Sequence, residues 1–320
     1  MSTLSAHPPR TAAFWRAYWV TLRPYLFFVS GASGLVGLAL AGDVPTAILA
    51  PAFLASFFSY GLGQAVTDVF QTDTDALSSP YRPLVRGEIA GGPVLAVSLG
   101  GLALCSATFV ALCPANAFLA LAAVVGLLTY TPMKRHAWGG PFWNSWIVAL
   151  LPVMGFFCGT RSVPAGPARS GLAGASLSVF FTYAVFVLLG YFKDVEADRR
   201  TGYETLPVRF GRPLSVAVSA VLCALGLAAS AHLVGEAARA SVGGVLWLGG
   251  VLLLAGAHVR ILPTTRDDEA HPAIAMAVRG YVALHLGEAA LLRPGLAWAV
   301  LALYVLFEAA LHARPCRAQI

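Results

Sequence analysis

LAGASLSVFFTYAVFVLLGYFKDVEAD, residues 172–198, sets an apolar run directly against an acidic cluster. From Leu172 to Phe192 no side chain carries a charge. That length suffices for one helix to cross a hydrocarbon layer, which takes about 20 residues. The segment 172–193 therefore reads as a membrane span. Its far end carries Lys193, Asp194, Glu196 and Asp198 within six residues. Carboxylates at the edge of hydrocarbon are costly unless compensated, so the same stretch sets a fold and raises a question of chemistry.

Working outward, comparable runs recur near 19–42, 46–66, 91–113, 116–131, 141–159, 212–234, 241–261, 272–292 and 296–313. The chain is 58% hydrophobic and 11% charged, with a mean hydropathy of +0.73. Too little polar surface remains to cover a soluble globule. The expectation is an all-α polytopic membrane helical bundle of ten candidate spans. Residues 1–17 read as a polar N-terminal tail, 18–313 as one transmembrane domain and 314–320 as a short C-terminal tail. Alternate loops carry basic residues fifteen to four, which places the more basic side in the cytoplasm and with it a cavity open to that side. The net charge of +6 then reflects topology and anionic lipid, and no basic stripe suggests nucleic acid. Five scattered cysteines show no CxxC spacing and read as small buried hydrophobes. Arginine outnumbers lysine nineteen to two, which fits a GC-rich bacterial gene and a bacterial cytoplasmic membrane.

Polar residues on the basic side gather in three islands. The first is GQAVTDVFQTDTDALSSPYRP, residues 63–83; the second is YTPMKRH, residues 130–136; the third begins at Tyr191. At about 100° per residue, Gln64, Asp68, Gln71 and Asp75 share one helix face and Asp73 points away. Asp194 and Asp198 also share a face, with Tyr191 one turn earlier. Like charges four residues apart oppose each other. A hard divalent cation such as Mg²⁺, which prefers oxygen ligands and bridges carboxylates to a substrate phosphate, would compensate them. On this reading Asp68, Asp75, Asp194 and Asp198 are metal ligands. Arg82, Arg86, Lys134, Arg135 and Lys193 bind the remaining phosphate oxygens, and Gln64 and Gln71 offer neutral oxygens.

These islands resemble the motifs of the UbiA superfamily of intramembrane prenyltransferases. YFKDVEAD (Tyr191, Asp194, Asp198) and the following GYETLPVRFG are similar to the second family motif. YTPMKR is similar to the loop after the fourth helix, and SPYRPLVRGEI to the turn after the first motif, with Arg82 in the phosphate-binding position. The first motif departs from the family pattern. Registered on PYRP, the family Asn falls at Thr67 and its middle Asp at Gln71, leaving Asp75; alternatively the helix face supplies a displaced set, with Asp68 and Asp75 as ligands.

The resemblance implies nine core transmembrane helices, with 296–313 an added tenth, and a Mg²⁺-dependent enzyme that moves an isoprenyl group from a prenyl diphosphate to an aromatic or other small acceptor. A membrane terpene cyclase of the same superfamily is the alternative, and a transporter a remote one. Metal and cations would stabilise the departing diphosphate, and aromatic faces the allylic cation. Phe142, Trp143, Trp146 and Tyr191 are aromatic candidates. Asn144, polar within a span, and Arg279, at hydrocarbon depth, are candidates for the prenyl or acceptor cavity. His285 and Glu288, three apart, read equally well as a structural bridge. Arg23, opening the first span, reads as snorkelling to lipid headgroups.

Overall fold

The computed structural model describes residues 6–162, 166–236, 240–316 and 319. Arg239 and Arg317, both used in the orientation count, lie outside the described residues. Among the described residues every regular element is helical. The α-helices are α1 (Ala12–Leu22), α2 (Phe27–Leu40), α3 (Thr46–Val69), α4 (Thr72–Ser78), α5 (Gly91–Leu112), α6 (Asn116–Lys134) and α7 (Gly139–Thr160). They continue with α8 (Pro167–Gly190), α9 (Val195–Arg200), α10 (Leu206–Val234), α11 (Val242–Ile261), α12 (His271–Leu292) and α13 (Ala297–His312). By length and composition nine helical stretches among the described residues could cross a membrane, or ten if the bent pair α1–α2 is one span.

That bent pair departs from the single span expected at 19–42. Helix α1 starts earlier, at Ala12, because the Thr11 hydroxyl caps it by accepting from the Phe14 N–H at 3.3 Å. It stops at Arg23, whose backbone is left-handed with φ 50°. Pro24 follows; it lacks an N–H and its ring disfavours a helical predecessor. After a short 3₁₀ turn the chain resumes as α2, bent by 43° from α1.

Helix α12 is buried along almost its whole length, packed against α11, α2, α8 and α13. Against it lies α11 at backbone contact. A Cβ on Gly250 would fall 2.5 Å from the Leu284 backbone nitrogen, and one on Gly287 would fall 2.5 Å from the Trp247 nitrogen. Where water supplies no hydrophobic drive between helices, such small-residue contacts hold them together. On another face, α12 is clasped to α8. His285 Nδ1 lies 2.7 Å from Glu288 Oε2, and the other His285 nitrogen lies 2.9 Å from the Thr182 hydroxyl. The Ser178 hydroxyl donates to Glu288 Oε1 at 2.6 Å. All four side chains are fully buried, and the His285–Glu288 pair is thus a structural bridge.

The polar islands meet at one end of this bundle. The Thr74 and Thr201 hydroxyls are 3.0 Å apart, and the Glu204 N–H donates to the Arg135 carbonyl at 3.0 Å. Gln319 is tucked against the same end: its side-chain amide donates to the Val20 carbonyl at 2.9 Å, and its main-chain carbonyl accepts from the Tyr25 hydroxyl at 2.8 Å. Gly287→Leu should separate α11 from α12 and cost about 1–3 kcal/mol, read as a lower midpoint in a detergent thermal melt. Gly249→Ala, where an added Cβ meets nothing within 4 Å, should leave the melt unchanged.

Candidate active site

The acidic face of the first island survives a break in its helix. Helix α3 ends at Val69, residues 70 and 71 leave the helical path, and α4 begins at Thr72. The continuous helix assumed for residues 64–75 is therefore not observed. Even so, Gln64, Asp68, Gln71 and Asp75 line one polar cavity of about 730 Å³, because the break redirects α4 without turning Asp75 outward. Asp73 points away and pairs with exposed Arg135 at 3.1 Å.

Arg23 is the residue that binds this face together, and it does not reach lipid headgroups. The left-handed turn aims its guanidinium inward, where Nη2 donates to Asp68 Oδ2 at 2.7 Å. The other Asp68 oxygen accepts from the Gln64 amide at 2.8 Å and faces Arg82 at 3.5 Å. Arg82 also donates to Asp75, while its Nε is buried with no hydrogen-bond partner. Burial raises the Asp75 carboxyl above its ordinary value against the opposing pull of Arg82.

Opposite lies the third island. Asp194 takes both oxygens to Lys193 Nζ, each at 3.2 Å. Burial opposes its ionisation, yet Lys193, Lys134 and Arg82 together hold its carboxyl below the usual range. Asp198 is fully buried behind Lys134, 3.6 Å from its Nζ. One Asp198 oxygen accepts from Thr205 at 3.1 Å and the other has no hydrogen bond. Burial pushes Asp198 up to about 6, with Lys134 opposing. Lys134 also donates to the Gln71 carbonyl oxygen at 3.1 Å, and the Gln71 amide donates to Thr131 at 3.3 Å. Gln71 thus joins the second island to the first. Tyr191 lies beside Tyr130, hydroxyls 3.1 Å apart, with Lys134 5.3 Å from the Tyr191 ring centre.

Several sequence candidates lie elsewhere. Arg86 pairs with Glu88 on the surface, and Arg135 stacks on Tyr203 outside the cavity. Trp143 donates to the Gly126 carbonyl of α6 at 3.1 Å. Arg279 turns to Glu308 on α13 at 2.9 Å.

A second, mostly apolar cavity of about 750 Å³ runs from the polar one between α3, α5, α6 and α7, as far as Phe109 and Met154. The two share Tyr60, Gln64, Asn144 and Tyr183. Tyr60 and Tyr183 escaped the sequence reading. The legible signal for Tyr60 was its place four residues before Gln64, on the face that continues to Asp68.

The chain and its fold have parallels among known proteins. The model of the UbiA prenyltransferase family matches residues 27–285. A digeranylgeranylglyceryl phosphate synthase of Halobacterium salinarum is 34% identical over 216 residues, covering 65% of this chain and 74% of that protein. One from Thermococcus kodakarensis is 29% identical over 225 residues, covering 67% and 76%. Among solved structures, a UbiA homologue from Aeropyrum pernix superimposes with a TM-score of 0.67 at 18% identity, covering 81% of this chain and 96% of that one. A homologue from Archaeoglobus fulgidus bound to DMAPP and Mg²⁺ gives 0.59 at 20% identity, covering 83% and 98%. The chain belongs to the UbiA prenyltransferase family, and is an intramembrane prenyltransferase built on that family's fold.

Proposed function

We propose that this prenyltransferase is Mg²⁺-dependent and moves the isoprenyl group of a prenyl diphosphate to a small acceptor. The observation that carries this reading is the junction of the two cavities. A diphosphate suits the cationic pocket of Arg23, Arg82, Lys134 and Lys193, a prenyl chain suits the apolar chamber, and the bond to be broken then falls between them at Tyr60, Gln64, Asn144 and Tyr183.

The residues present fit a magnesium ion held jointly with substrate. Among the described residues no three acidic side chains converge on one cation position. The donor set is nonetheless all oxygen, as Mg²⁺ prefers, and one buried Asp198 oxygen lacks a hydrogen bond. Charge supports the same conclusion. Four acids face four bases in the pocket, so a diphosphate would bring several uncompensated negative charges into a buried site, which is costly. Asp194 and Asp198 would hold the ion, with Asp68 and Asp75 released to it when diphosphate engages Arg23 and Arg82. Bound there, Mg²⁺ would neutralise charge growing on the departing diphosphate. Arg82 Nε, with no partner of its own, supplies a donor for a phosphate oxygen. The rings of Tyr130 and Tyr191 would face the allylic cation, and the surrounding helices keep water from it. The basic asymmetry of the loops supports a pocket facing the cytoplasm.

Treatment with EDTA should abolish prenyl transfer by the purified enzyme and excess Mg²⁺ should restore it. Asp194→Ala and Asp198→Ala should each lower kcat by about 100-fold or more, whereas Asp73→Ala should stay close to the unaltered protein. Retained activity in EDTA would remove the metal from the reading. Arg23→Ala should weaken binding of inorganic diphosphate with Mg²⁺ by about 10–100-fold in calorimetry, the effect of one charge-assisted hydrogen bond; Arg16→Ala, exposed on the same helix segment, should leave it unchanged. In a background without native cysteines, Arg135→Cys should resist membrane-impermeant thiol labelling in intact cells. Ready labelling from outside would reverse the proposed orientation.

A further inference from the structure

We propose that Gln319 is the gate on a passage by which inorganic diphosphate leaves the catalytic pocket. The inference rests on the reading above that this pocket holds diphosphate with Mg²⁺, and it adds a residue that acts after the prenyl group has been transferred.

The charged product has to find a way out. Transfer leaves diphosphate in a pocket that adjoins an apolar chamber, and a polyanion cannot depart through hydrocarbon. It needs a polar path, and three hollows in series supply one. The catalytic pocket of about 730 Å³ meets a small hollow of about 210 Å³ at Arg23, Asp68 and Arg82. That hollow meets a wide outer groove of about 1120 Å³ at Val20 and Pro83. The apolar chamber shares no residue with either of the outer two. Among the described residues, Gln319 alone lines all three members of the series.

Charge along the path suits the cargo. Arg23 and Arg82 stand at its inner end, and Arg16 and Arg86 line the outer groove. The acid of that groove is Glu88, which Arg86 already neutralises at 3.0 Å. An anion moving outward therefore passes from one guanidinium to the field of the next.

The manner in which Gln319 is held is that of a latch. Its main chain is fixed twice: the N–H donates to the Cys316 carbonyl at 3.0 Å, and the carbonyl accepts from the buried Tyr25 hydroxyl at 2.8 Å. Its side chain is fixed once, by the amide donating to the Val20 carbonyl at 2.9 Å. The side-chain oxygen is buried with no hydrogen-bond partner. A single hydrogen bond has a modest net worth, and a buried oxygen without a donor gains by reaching water. Opening leaves little behind, because the Val20 carbonyl still accepts from the Arg23 N–H at 3.3 Å. The side chain thus closes the middle hollow at rest and swings aside at low cost while its backbone stays in place. Such a gate covers the pocket whether or not an anion is inside, so it governs rates and leaves affinity to the bases of the pocket.

The test uses radiolabelled inorganic diphosphate with Mg²⁺ on the purified full chain, with association and dissociation followed by rapid filtration. Gln319→Ala should raise both rate constants about tenfold, the change in open fraction that one lost latching bond allows, while Kd stays within twofold. In protein that keeps Cys316 as its only cysteine, a bulky maleimide attached to this wall of the groove should lower both rates at unchanged Kd. Unaltered rates in Gln319→Ala overturn the proposal. So does faster dissociation matched by an equal rise in Kd, the mark of a ligand or a support in place of a gate. Labelled protein that releases diphosphate as fast as before, or faster, puts the exit elsewhere and overturns it too. If the unaltered protein fails to bind diphosphate with Mg²⁺ at all, the diphosphate reading itself falls and takes the gate with it.

Discussion

Four buried carboxylates and four cationic side chains, two of them buried, gather at one end of this bundle, and the arrangement depends on Arg23 reaching Asp68. That ion pair ties the bend between α1 and α2 to the end of α3, and through Arg82 to Asp75 on α4. Each member is expensive alone in a low-dielectric setting and tolerable only with its partner. The left-handed backbone at Arg23 is a conformation that a bulky residue adopts at some cost, and the buried pair it permits holds it there.

The same balance makes the pocket ready for a charged ligand. Neutral as it stands, it can admit an anion only by exchanging its internal pairs for pairs with that anion, or by importing a cation beside it. Arg82 Nε and one Asp198 oxygen make no hydrogen bond, one a donor and one an acceptor, although that oxygen faces Lys134 at 3.6 Å. Lys134 stands between the islands, 3.1 Å from Gln71 and 3.6 Å from Asp198. A glutamine at position 71 is neutral and so accepts the lysine without adding a further charge to the pocket.

Beyond the pocket, α8 serves two tasks, clasping α12 through Ser178 and Thr182 and lining both cavities through Tyr183. Helices α11 and α12 pack through glycines, and α12 joins α8 through a hydrogen-bond clasp. Helices α3, α6 and α7 carry the cavities and leave polar atoms free, as a binding site requires. Arg279, which looked like a cavity residue by its depth, belongs to the supporting part: its partner Glu308 sits on α13 and fastens the last helix to the bundle.

Membrane spans, the three polar islands and the acids at 68, 75, 194 and 198 were legible in the sequence, because apolar run length and charge placement are local properties. The outward direction of Asp73 was legible for the same reason, although the helix presumed to set it is broken at residues 70 and 71. What the sequence could not give was partnership. Arg23 and Asp68 are 45 residues apart, and nothing local distinguishes an arginine that snorkels from one turned inward by a proline-induced bend. Arg86 and Arg135 share the basic side with Lys134, yet they stay at the surface while Lys134 is buried. The junction of Tyr60, Asn144 and Tyr183 exists only where α3, α7 and α8 meet, since a cavity is a property of packed surfaces and no single helix encodes it.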